Sequence, residues 1–133
     1  MRRGAFALIG GWLLPIVCHA WEPAALDGSV VLPAGAEVAG VGSVHVRLLD
    51  VSRADAPASL LAESIIEHPK SAPVAFSLVY DKAAAKPGGS YQIVAEVFGG
   101  GQLRLMKQES VDPASGAHPE LRVERFGAGR SAP

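Results

Sequence analysis

The sequence is poor in cysteine, in excess charge of either sign, and in the short motifs that mark catalysis. A single Cys in 133 residues, Cys18, excludes an intramolecular disulfide framework and any multi-thiolate zinc site, since both need several sulfurs. Lys and Arg number 12 against 13 Asp and Glu, a formal charge of -1, and no basic run or stripe occurs. Nothing therefore draws the chain to phosphate backbones or anionic membrane, and nucleic acid is not an expected partner. Gly-x-Gly-x-x-Gly, Walker and Gly-x-Ser-x-Gly sequences are all missing, and none of His45, His68 and His118 has the i, i+4 helical spacing of a metal pair. Ser52, His45 and Asp50 are conceivable as a Ser-His-Asp set, but no nucleophile elbow or oxyanion loop accompanies them. No enzyme, no cofactor and no metal site is expected, and the length suits one domain rather than a two-domain enzyme.

What is present begins with a leader. Met1-Arg2-Arg3-Gly4 supplies a positive start, Ala5 to Val17 is apolar, and Cys18-His19-Ala20 puts small residues at the two positions a signal peptidase reads. Residues 1–20 read as a signal peptide cleaved after Ala20. As a helix the apolar stretch would rise only about 20 Å, short of the roughly 30 Å hydrocarbon core, so a spanning anchor is the weaker reading. Cys18 opens a second route, acylation as in bacterial lipoproteins, although Pro15 and Val17 depart from the usual apolar-small-small-Cys pattern. Cleavage after Ala20 removes Arg2 and Arg3 and leaves 10 basic against 13 acidic residues, a formal charge of -3 on a cysteine-free chain. Such a chain suits an oxidising envelope space, with membrane contact only if Cys18 is lipidated.

Beyond the leader, period two dominates. Val44, Val46 and Leu48 alternate with His45, Arg47 and Leu49. The same alternation runs through Val74 to Tyr80, Tyr91 to Phe98, Gln102 to Leu105 and Glu120 to Glu124, and Val30 to Leu32 end a first strand. Punctuators separate these runs, and Gly99-Gly100-Gly101 joins two of them directly, which predicts a hairpin. Ala56 to Glu67 reads equally well both ways: Asp55 suits a helix cap, while Ser64, Ile65 and Ile66 suit a strand. The expected fold is all-β, a small antiparallel β-sandwich or partly open barrel over residues 21–126, transthyretin- or immunoglobulin-like, with about seven strands. The segment 127–133, mostly Gly, Ala, Ser and Pro, is expected to be a disordered tail.

Three stretches carry a resemblance: Leu32-Pro33-Ala34-Gly35-Ala36, then Leu49-Asp50-Val51-Ser52-Arg53-Ala54-Asp55-Ala56-Pro57, then Pro73 to Asp81. Together with Tyr91 to Val97 and Gly101-Gln102-Leu103, they resemble the YbaY/YscW family of bacterial envelope lipoproteins. The resemblance implies a small all-β sandwich in the periplasm. For the YscW branch it implies a pilotin, which escorts or stabilises the outer-membrane secretin subunit of a type III secretion system.

The residues themselves read as structure. Asp50, Ser52, Arg53 and Asp55 form a signature turn in which short polar side chains satisfy nearby backbone N–H groups and Arg53 pairs with either Asp. Asp81, after Tyr80, also suits a turn. The functional expectation is an exported, non-enzymatic module that binds an envelope protein such as a secretin subunit along a strand edge or in a groove between sheets. The alternatives are a small-ligand or glycan-binding sandwich, with Tyr80, Tyr91 and Phe98 as stacking rings, and a purely structural envelope domain.

Overall fold

The computed structural model describes residues 21–125, which form eight β-strands. They are β1 (Pro23–Val31), β2 (Ser43–Asp50), β3 (Ser59–Glu67), β4 (Val74–Asp81), β5 (Tyr91–Gly99), β6 (Gln102–Val111), β7 (Glu120–Arg122) and β8 (Glu124–Arg125). One sheet runs β4-β1-β7 and the other β3-β2-β5-β6-β8. Every pairing is antiparallel except that of β1 with β7. The sheets do not close into a barrel, and the fold is a small sandwich. The leader with Cys18, and the tail 127–133, lie outside the described residues.

Alternation along each strand fills the space between the sheets. Leu26 and Val30 of β1 and Val74, Phe76, Leu78 and Tyr80 of β4 face Val44, Val46 and Leu48 of β2 and Tyr91, Ile93, Ala95 and Val97 of β5, all buried in one cluster. Gly28 shares the inward face of β1, directly opposite Phe76. A Cβ there would lie 2.3 Å from the Pro119 carbonyl oxygen and 2.7 Å from the Phe76 ring. Absence of a side chain lets the Phe76 ring and the 119 backbone close over β1 together.

β5 and β6 meet as the hairpin expected from the triple glycine. Gly99 pairs with Gln102, leaving Gly100 and Gly101 as a two-residue loop with φ of 61° and 77°. Two consecutive left-handed residues match the strand twist only where no Cβ obstructs them.

The six alternating runs and residues 59–67 make the expected seven strands, and β8 adds an eighth. Residues 59–67 form a strand rather than a helix: Ala62, Ser64 and Ile66 pair with Leu48, Val46 and Val44 on the inward face. Burial of β2 against a neighbouring strand outweighs the helical spacing of Leu60, Leu61, Ile65 and Ile66, two of which are β-branched. At the other edge, β8 pairs with β6 only through Leu105–Arg125 and Met106–Glu124, too short for any periodicity to show. β6 itself runs to Val111, six residues past the alternation legible at Leu103 and Leu105.

The outer face of the five-stranded sheet is held by polar side chains. Arg47 pairs with Glu96 across β2 and β5, and the side-chain amides of Gln92 and Gln108 bond across β5 and β6. Val94 lies between these pairs on the same face and is buried although it points away from the core.

Candidate functional site

At one end of the sandwich the signature turn closes β2 onto β5. Asp50 accepts a hydrogen bond from the Ser52 N–H at 2.9 Å, a local Asx turn. The Ser90 N–H donates to Ser52 Oγ at 2.9 Å, and the Val51 N–H donates to the Ser90 carbonyl at 2.9 Å. The carboxyl of Asp50 is held below its ordinary value, first by the Ser52 hydroxyl and N–H and then by the charges of Lys86 and Arg53. Arg53 is exposed and forms no ion pair with Asp50 or Asp55; among the described residues the two ion pairs are Arg47–Glu96 and Arg122–Glu120. An exposed arginine gains too little from one carboxylate to fix its long side chain. A cleft of about 490 Å³ opens beside the turn, lined in part by Asp50, Arg53, Ser59, Lys86 and Tyr91.

The three rings do not converge. Tyr80 is 4% exposed, and its hydroxyl donates to the Pro113 carbonyl at 3.2 Å. Tyr91 is 6% exposed, and its hydroxyl accepts the Lys86 N–H at 2.7 Å, securing the loop that precedes β5. Both rings are core residues whose polar ends hold loops. Phe98, on the same strand as Tyr91, lies on the outer face of the five-stranded sheet, its centroid 4.7 Å from that of His45.

Nor do the residues of a triad assemble. His45 sits five positions from Asp50 along β2, about 17 Å at the rise of an extended strand. His45 Nε2 is 3.2 Å from the Ser43 hydroxyl. His68 lies in the loop after β3, and His118 lies beside the Asp27 carbonyl at 3.3 Å. Among the described residues no three His, Cys, Asp or Glu side chains are grouped to hold a metal.

A second cleft, about 570 Å³, lies at the opposite end, where the loop 36–41 faces the β5–β6 hairpin; Glu37, Phe98, Leu103, Arg104 and Arg125 line it. Arg104 is the extra residue of a bulge between Leu103 and Leu105, and its Nε donates to the Gly99 carbonyl at 3.1 Å.

Strand edges differ in what they offer. β7 and β8 are three and two residues long. β6 beyond Met106 carries Lys107 and Glu109 opposite the core residues Ala95 and Ile93, half-buried charges on the inward face that discourage strand addition. β3 ends its sheet along all nine residues and exposes Leu60 and Ile65 at 55% and 50%. Sequence reading missed this edge because Leu60 and Ile65 also fit an apolar helix stripe. The available signal was the phase of Ile65, opposite to that of Ala62, Ser64 and Ile66; Leu60 shares their phase in sequence and turns outward only because of the bulge at Leu61.

Comparison with known proteins accords with this architecture. Residues 22–123 match the family described as type III secretion system lipoprotein chaperone (YscW). Among solved structures, an alternative pilotin from the type II secretion system of Vibrio cholerae is similar, with 27% identity and a TM-score of 0.64. The alignment covers 77% of this chain and 94% of that one. No curated protein matches the chain. With the match spanning β1 to β7 and both sheets, the chain belongs to the YscW family of type III secretion system lipoprotein chaperones.

Proposed function

We propose that the protein is an exported, non-enzymatic, pilotin-like module that binds a segment of another envelope protein, such as a secretin subunit, and assists its assembly or stability. The observation that carries this reading is the family match across residues 22–123, and the pilotin neighbour supports it at 27% identity. The geometry is compatible: the described surface offers two end clefts and a long free strand edge, the features by which small sandwiches capture extended segments. Co-purification from crosslinked envelope extracts tests the reading. Recovery of a secretin subunit with the protein is the expected result, and its absence under conditions that keep secretins intact overturns it.

The leader and Cys18 set the location in this proposal. Cleavage after Ala20 yields a periplasmic module beginning at Trp21, whereas acylation of Cys18 would tether it to the envelope. Intact mass spectrometry of the exported protein distinguishes the two by the mass of the N-terminus, and the expected species begins at Trp21.

A further inference from the structure

The β3 edge combines exposed apolar side chains with charge of one sign. Pairing with β2 sets Glu63 opposite Arg47, Ile65 opposite His45 and Glu67 opposite Ser43, so Glu63, Ile65 and Glu67 share the outer face of the sheet. Arg47 is committed to Glu96, and neither Glu63 nor Glu67 has an ion-pair partner among the described residues. The nearest cation along the chain after the strand is Lys70, in the following loop. A bulge at Leu60–Leu61 interrupts the start of the edge, leaving Ala62 to Glu67 as its regular stretch. No proline or lysine interrupts that stretch.

We propose that this edge takes up an extended partner segment with a basic–x–apolar–x–basic pattern, added beside β3 as a sixth strand of the five-stranded sheet. The inference rests on the pilotin-like reading and names the chemistry of the segment that reading leaves open. Main-chain hydrogen bonds supply the binding, and the outer-face side chains select the sequence. A basic residue lies opposite Glu63, an apolar one opposite Ile65, and a second basic residue opposite Glu67, as opposite charges pair across neighbouring strands. The single sign of the edge charges also disfavours a second copy of this chain. Symmetric antiparallel pairing of the whole of β3 would be centred on Glu63 and would set two carboxylates against each other. β4, the other long edge, shows Ala75, Ser77 and Val79 on its outer face and no charge before Asp81, so it has no comparable selectivity.

The probe is a capped peptide, Ser-Lys-Thr-Val-Thr-Lys-Ser, titrated into the full chain while backbone amide NMR signals are followed. Saturable binding with shifts concentrated on residues 59–67 is expected. The Glu63→Lys, Glu67→Lys double variant should bind about tenfold more weakly and should prefer the same peptide with Glu in place of Lys, since two strand-edge ion pairs are lost and then restored in reverse. A peptide N-methylated at alternate residues, so that one edge cannot donate, should lose binding to the unmodified chain; this arm holds even if the double variant fails to fold. Equal binding of the acidic peptide, retention of affinity on N-methylation, shifts confined to other strands, or a dimer formed through β3 would each overturn the proposal. If a secretin subunit co-purifies equally with the wild type and the double variant, the edge assignment fails while the pilotin-like reading stands.

Discussion

Ser52 and Ser90, 38 positions apart in sequence, hold the signature turn against the start of β5: the Ser90 N–H donates to Ser52 Oγ at 2.9 Å, and the Ser52 hydroxyl lies 3.4 Å from the Ser90 carbonyl. The hydroxyl has one proton, and at 3.4 Å its donation to the carbonyl is weak, so the 2.9 Å bond from the Ser90 N–H is the stronger of the two. Replacement by alanine leaves the Ser90 N–H without its acceptor. Both serines are exposed, so water reaches the freed donor, and Ser52→Ala should cost about 0.5–1.5 kcal/mol, the net worth of an ordinary hydrogen bond. Urea titration should show a lower midpoint at an unchanged slope.

Acid should loosen the same turn through Asp50. Its folded carboxyl is held below its ordinary value of 3.8, chiefly by the Ser52 hydroxyl, then by the Ser52 N–H, with smaller help from Lys86 and Arg53. A depressed carboxyl contributes stability that is present above the unfolded value and is lost as pH falls through the folded one. Urea midpoints measured from pH 5 to pH 2 should fall at the acid end in the wild type. Asp50→Asn should show a shallower fall, and equal slopes for the two proteins would refute the linkage.

Gly28→Ala, at the one strand glycine of the three-stranded sheet, should destabilise the fold by overpacking. The added methyl would meet the Pro119 carbonyl oxygen at 2.3 Å and the Phe76 ring at 2.7 Å. The ring can turn, but the carbonyl is backbone and receives the Ser29 N–H at 3.0 Å. Overpacking of this kind costs about 1–3 kcal/mol. Hydrogen exchange should show the loss first in β7, whose approach to β1 depends on residue 119. Unchanged protection of β7 would argue against this account.

Alkali should act at Tyr80. Burial raises its hydroxyl above the ordinary value of 10.0, and the charge of Asp112 raises it further. The folded state thus holds this proton more tightly than the unfolded one, and the resulting stability is present below pH 10 and lost as pH rises through the folded value. Absorbance titration of phenolate formation should show a component above pH 10 that disappears in Tyr80→Phe. That variant should also lose the bond to the Pro113 carbonyl, at about 1 kcal/mol in urea.

Much of the sandwich was legible from local alternation. Val44, Val46 and Leu48, the run from Val74 to Tyr80, and the run from Tyr91 to Val97 all occupy the inward face that their spacing indicates. The glycine hairpin and the turn at Asp81, whose carboxylate accepts the Ala83 N–H at 3.0 Å, were likewise readable, because backbone conformation and short polar side chains are local properties. Tyr80 and Tyr91 were readable as residues in register with the core but not as holders of loops, since their hydroxyl partners at Pro113 and Lys86 depend on how connecting segments fold back.

Sequence alone determined that the chain is a β-sandwich with an apolar interior, since a period of two specifies which side chains share a face. Only the tertiary structure decided that residues 59–67 are a strand, that β3 ends its sheet, and that Glu63, Ile65 and Glu67 line its open side. Position within a sheet is set by non-local pairing: the same alternating pattern is satisfied at a centre or at an edge. Which strand is left with free backbone groups depends on the packing of all the others.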